Sequence, residues 1–186
     1  MNENKPSPFT HLFNYGAICG LVMFAITFLL WILNIFPLGT ASFYFSWIPL
    51  VFMYVATKIL REDYLKGTRT YWGAFKAQML VISSYGVLYV LLVYIFGKII
   101  YTDLVSDYIQ TYLKEFSINK TELHKVFGGN KEAFEDQMIE EIKSSTLSSI
   151  LFKEYFFKLS GGAFFALILS SKLKRINPIA HVESKS

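Results

Sequence analysis

The sequence predicts an all-α membrane protein with four transmembrane helices and an amphipathic helical extracytoplasmic segment between helices 3 and 4. Three observations carry this reading. Hydrophobic residues fill 53% of the 186 positions and charged residues 17%, where a soluble domain carries roughly 25% charge. Long uncharged runs recur along the chain. The basic residues, which leave a net charge of +4, cluster in short stretches beside those runs. This balance excludes a disordered chain, a nucleic-acid-binding tail and an ordinary soluble enzyme. A single cysteine, Cys19, inside an apolar run excludes a disulfide framework and a cysteine zinc site.

The first span covers residues 15–36, which hold no charged side chain. At 1.5 Å per residue it reaches about 33 Å, enough for a hydrocarbon core of about 30 Å. It is too long for the apolar region of a signal peptide, and Pro37-Leu38-Gly39-Thr40 makes a poor cleavage site. The second span, 43–60, opens with the interfacial aromatics Tyr44 and Trp47 and closes with Lys58 and Arg61. Pro49 falls in its first turns, where it is expected to kink the helix modestly or to sit where few amide donors are lost. The third span, 77–97, lies between Lys76 and Lys98. The fourth, 155–173, carries Lys158 one turn inside its start, with an ammonium expected to snorkel outward.

Orientation follows from the short loops. Arg61, Lys66, Arg69 and Lys76 join spans two and three, and Lys172, Lys174, Arg175 and Lys185 follow span four. Short basic segments stay on the cytoplasmic side. Residues 1–14 and 176–186 are therefore expected to be cytoplasmic tails of one membrane domain, 15–175, and the acidic 101–154 lobe to lie outside. Within that lobe Leu104, Tyr108, Tyr112 and Phe116 recur every fourth position, as on one face of a helix. Asn119 with Glu122 resembles a capping box opening a second helix. Gly128-Gly129 and Asn130 punctuate before a third, whose stripe is Phe134, Met138 and Ile142. Such faces can pack within the domain, lie on the membrane or meet a partner, and packing is the plainer reading.

No constellation for catalysis stands out. The histidines His11, His124 and His181 are scattered, and neither a phosphate-cradling glycine loop nor a serine elbow is present. No catalytic residue, metal ligand or cofactor is expected. Small residues carry a packing signal: Gly16 and Gly20 on the first span, and Gly162, Ala166 and Ser170 on the fourth, recur four apart and let a neighbouring backbone approach. Polar groups inside the spans are limited to residues such as Asn34, Ser83, Ser84 and Tyr85. These would line a path in a transporter or channel, and otherwise bond between helices.

Three stretches together resemble a family of small bacterial integral-membrane proteins called domain of unknown function 4199. They are Tyr15-Gly16 with Gly20-Leu21, the run from Gly67 through Tyr71-Trp72-Gly73-Ala74-Phe75 to Lys76, and the amphipathic lobe from Asp107 followed by a glycine-bearing last helix ending in Lys172 and Lys174-Arg175. The chain departs from the family's habit at Ser160, where proline often stands, and at Gln78, where a small residue is usual. The resemblance implies four membrane helices and bacterial inner-membrane residence, and no reaction or ligand. The expectation is a non-enzymatic four-helix bundle that acts through contacts with the lipid bilayer, with itself or with other membrane proteins, and not with nucleic acid. A small oligomeric transporter or channel is the alternative.

Overall fold

The computed structural model describes residues 6–127 and 131–174. Among them lie α1 (Pro8–Ile32), α2 (Thr40–Phe43), α3 (Trp47–Ile59) with a π-helical turn (Leu60–Tyr64), α4 (Tyr71–Ile99), α5 (Leu104–Phe127), α6 (Lys131–Lys143) and α7 (Leu147–Leu173). Among the described residues four stretches are long and apolar enough to cross a bilayer: Pro8–Ile32, Ala41–Tyr64, Tyr71–Ile99 and Leu147–Leu173. The expected Gly128-Gly129 break, the Asn130 cap, Arg175, His181 and Lys185 lie outside the described residues.

Capping chemistry moves the helix ends away from the limits that charge alone suggests. Ser7 Oγ accepts from the Thr10 amide at 3.1 Å, with Pro8 in the first turn, so α1 starts well before residue 15. It stops at Ile32 because Asn34 takes a left-handed conformation, φ 57°. The Ile35 amide then reaches the Leu30 carbonyl at 2.9 Å and the Asn34 amide reaches Trp31 at 3.0 Å, a Schellman ending. Asn34 is thus an exposed turn residue beyond the helix.

The second crossing is broken where a continuous span was expected. Between α2 and α3 the chain makes tight turns, and Pro49 has no amide to offer the Phe45 carbonyl; the Ile48 amide fills it at 3.0 Å. Thr70 caps α4 through the Gly73 amide at 3.1 Å, which draws Lys76 and Lys98 inside the helix. Thr146 and Ser149 form a reciprocal capping box. That box starts α7 at Leu147, two turns before residue 155, so the outer lobe ends earlier than expected. Helix α5 runs unbroken through Asn119, whose side-chain amide donates to the Glu115 carbonyl at 3.0 Å instead of capping a new helix.

Helix α4 is the common partner of α1, α3 and α7. Its buried face carries Ala77, Val81, Tyr85, Tyr89 and Val93. Gly16 of α1 sits against Ser84 and the Val81 carbonyl, Gly20 against Tyr85 and Leu88, and Gly162 of α7 against Ile82. Ala166 and Ser170 are fully buried, and Gln78 of α4 donates to Ser170 Oγ at 3.0 Å. Gly16, Gly20, Gly162 and Ser170 therefore bring helices together within one chain, and Ala166 is buried on the same helix as the last two. At the end where α1 begins, His11 Nε2 donates to the Ala56 carbonyl at 3.2 Å and Arg61 Nη1 to the Leu173 carbonyl at 3.3 Å. At the other end the first turns of α5 fold onto the helices: Leu104 and Tyr108 are buried, and Tyr108 meets the Phe36 ring edge-on.

A methyl group at residue 16 would collide with Ser84 Oγ and lie 2.5 Å from the Val81 carbonyl, whereas one at residue 161 meets nothing within 4 Å. Gly16→Ala is therefore expected to lose about 1–3 kcal/mol by overpacking, and Gly161→Ala to keep its stability or gain up to about 1 kcal/mol of helix propensity. Cys19, fully buried on α1, provides the readout. In detergent, a thiol-reactive dye should reach it at a lower temperature in Gly16→Ala than in the parent, and no earlier in Gly161→Ala.

Candidate functional site

A cleft of about 660 Å³ separates α3 from α7 at the end opposite the basic loops. That volume falls within the roughly 300–1,000 Å³ typical of small-molecule sites. One wall comes from α2 and α3, through Ser42, Phe43, Ser46, Pro49 and Leu50. The opposite wall is a face of α7 on which Lys153, Phe157, Gly161 and Phe165 repeat every fourth residue, flanked by Glu154, Lys158 and Gly162. Met23, Ile82 and Tyr85 form the floor, and Gly39, Tyr108 and Tyr112 the roof. Phe43, Phe157 and Phe165 are exposed at its edges.

The polar part of the cleft lies deep. Glu154 and Lys158, one turn apart on α7, form an ion pair whose side chains are only 12% and 13% exposed. The Lys158 ammonium also stands 5.2 Å from the centre of the Tyr89 ring, a cation–π contact worth about 1–2 kcal/mol where water is scarce. Tyr89 is held in turn by Thr27 across α1 at 3.1 Å, and Thr27 donates to the Met23 carbonyl at 3.1 Å. Lys158 thus does not snorkel outward. The early start of α7 gives it an anion one turn back on its own helix and an aromatic face across from it. Each charge cancels the other, so a span that would be penalised by about 2.5–3.5 kcal/mol for a lone central charge tolerates two.

At the roof, Tyr108 and Tyr112 stack with ring centres 4.2 Å apart. Gly39 has φ 70°, and a side chain there would run into the Tyr112 hydroxyl at 2.9 Å, so this glycine serves both the turn and the close approach of α5. Burial raises both phenols above the ordinary tyrosine value; at Tyr108 the Lys153 charge opposes that rise, and at Tyr112 neighbouring Glu154 and Glu115 add to it. Both therefore remain neutral hydroxyl groups at neutral pH. Lys153 itself is bonded to Glu141 of α6 at 2.7 Å.

Of Asn34, Ser83, Ser84 and Tyr85, the polar groups expected to line a path, Tyr85 alone lines the cleft. Asn34 is exposed in the turn after α1, Ser83 is half-buried, and Ser84 returns its hydroxyl to the Leu80 carbonyl at 2.8 Å and the Val81 carbonyl at 3.0 Å. The structure does not bring these four together. Sequence reasoning missed Glu154, Lys153 and the tyrosine roof as cleft residues. The signal was present as an acid and a base four positions apart, Glu154 and Lys158, and was lost by starting the helix at 155. Among the described residues no group of three or more His, Cys, Asp or Glu side chains is arranged to hold a metal ion.

The fold and its four apolar crossings define a multi-pass, all-α membrane protein. The family model described as protein of unknown function DUF4199 matches residues 14–175, and the chain belongs to that family. No curated protein and no solved structure matches the chain.

Removing one member of a buried ion pair leaves the other uncompensated, at a cost of about 3–5 kcal/mol, while replacing both is far milder. Glu154→Gln and Lys158→Met are each expected to destabilise the protein by about 3 kcal/mol or more on that basis, and the double variant by less than either. A double-mutant cycle on the Cys19 unfolding assay reads the coupling directly.

Proposed function

We propose that this is a non-enzymatic protein of the bacterial inner membrane that works by holding a lipid-like amphiphile in the cleft between α3 and α7. The observation that carries the reading is the form of the cleft, with exposed phenylalanines at its edges and the Glu154–Lys158 ion pair within a mainly apolar lining. Apolar pockets with a few convergent polar groups are the usual design of small-molecule sites, and a site at bilayer depth is filled from the lipid phase. The deep carboxylate and ammonium are tied to each other and to Tyr89, an arrangement suited to positioning and not to turnover. The basic ends of the crossings, Arg61, Lys66, Arg69, Lys172 and Lys174, support a cytoplasmic location for both termini. The α5–α6 lobe then faces the periplasm. Contacts with further copies of the chain or with other membrane proteins remain open to the exposed faces of α1 and α7.

Two measurements test this reading. Gly161 lines the cleft with nothing near its missing side chain, so Gly161→Leu should fill the cleft without disturbing the core. Photoactivatable lipid incorporated into proteoliposomes is expected to label the α7 wall in the parent and several-fold less in Gly161→Leu, at equal thermal stability. Labelling that ignores the added leucine would remove the cleft as the binding place. For orientation, cysteines introduced at Lys66 and Glu140 should react with a membrane-impermeant maleimide on opposite sides, Glu140→Cys in intact spheroplasts and Lys66→Cys after lysis.

A further inference from the structure

We infer that the amphiphile held in the cleft carries an anionic headgroup, and that the Lys153 ammonium recognises it. The inference rests on the cleft being a lipid site, as proposed above, and adds the chemistry of the occupant. Among the described residues three charged side chains line the cleft: Lys153, Glu154 and Lys158. Glu154 and Lys158 neutralise each other, and Lys158 is further engaged with Tyr89. The charge left over is that of Lys153.

Its present partner is weak competition. Glu141 belongs to α6 and does not line the cleft, and the pair is open to solvent, with side chains 49% and 57% exposed. Exposed pairs of this kind contribute about 0–1 kcal/mol, so an anionic oxygen delivered from the membrane can take the place of Glu141. Position along the helix agrees. Lys153 lies about 9 Å from the start of α7 at 1.5 Å per residue, and Phe165 about 18 Å further on. A headgroup at Lys153 therefore sets its chain beside Phe157, Gly161 and Phe165 on successive turns. Tyr108 lines the same cleft as Lys153 and supplies a neutral hydroxyl donor there.

The test compares two photoactivatable probes of equal chain length, hexadecyl phosphate and hexadecanol, in phosphatidylcholine nanodiscs holding the full chain. Charge-assisted hydrogen bonds exceed neutral ones enough to favour the phosphate by roughly tenfold. Labelling of the α7 wall should show that preference, Lys153→Met should reduce the phosphate to the level of the alcohol, Lys153→Arg should keep it, and Glu141→Gln should enhance it. Inorganic phosphate should not compete. Equal labelling by both probes in the parent, or an equal fall of both in Lys153→Met, overturns the inference while leaving a lipid site in place. Failure of both probes to label the cleft overturns the lipid site itself and this inference with it.

Discussion

The structure depends on how closely α1 and α7 approach α4. Inside a bilayer, apolar side chains gain nothing by leaving lipid for one another, so helices associate through dispersion contacts and shared hydrogen bonds. Gly16, Gly20 and Gly162 remove the side chains that would hold the helices apart, and Ser84, Tyr85 and Ile82 of α4 fill the space. The polar atoms brought into these contacts are largely answered locally: Ser84 by its own helix, Ser170 by Gln78, and Tyr89 by Thr27. Gln78, the departure from the family's usual small residue, is thereby a cross-brace between α4 and α7.

With α1 and α7 fixed on α4, the place of α3 decides where space remains. Arg61 joins the end of α3 to the last carbonyl of α7, where a cation also meets the negative end of that helix. At the other end the broken entry to α3, with its turns around Ser42 to Ser46 and the amide-free Pro49, leaves α3 apart from α7. The cleft is the space left by that divergence. The Glu154–Lys158 pair stands in it and is stabilised by Tyr89 behind, while the stacked Tyr108 and Tyr112 cover it from the lobe. The same helix α7 thus supplies a packing face to α4 and a functional wall to the cleft.

Much of the fold is legible in the amino-acid sequence. Charge-poor apolar runs identify four crossings because a charge in hydrocarbon is costly over any stretch of the chain, and the α5 stripe of Leu104, Tyr108 and Phe116 is visible because burial on one helix face repeats every three to four residues. Helix ends were less legible. A run without charge does not stop at Asn34, but a left-handed residue does, and the two turns after Thr146, where Ser148, Ser149, Lys153 and Glu154 interrupt the apolar residues, do not look like a membrane helix until a capping box starts one.

By itself the amino-acid sequence determined that this chain is helical, that it crosses a membrane four times, and which small residues permit close packing, since each of these is written in local composition and spacing. Only the tertiary structure decided that both small-residue stripes face α4, that Lys158 turns inward to Glu154 and Tyr89, and that Lys153 shares a cleft with Ser42 and Tyr108. Those neighbours lie tens of residues apart, and their meeting depends on crossing geometry and on where each helix begins, which no local pattern of residues carries.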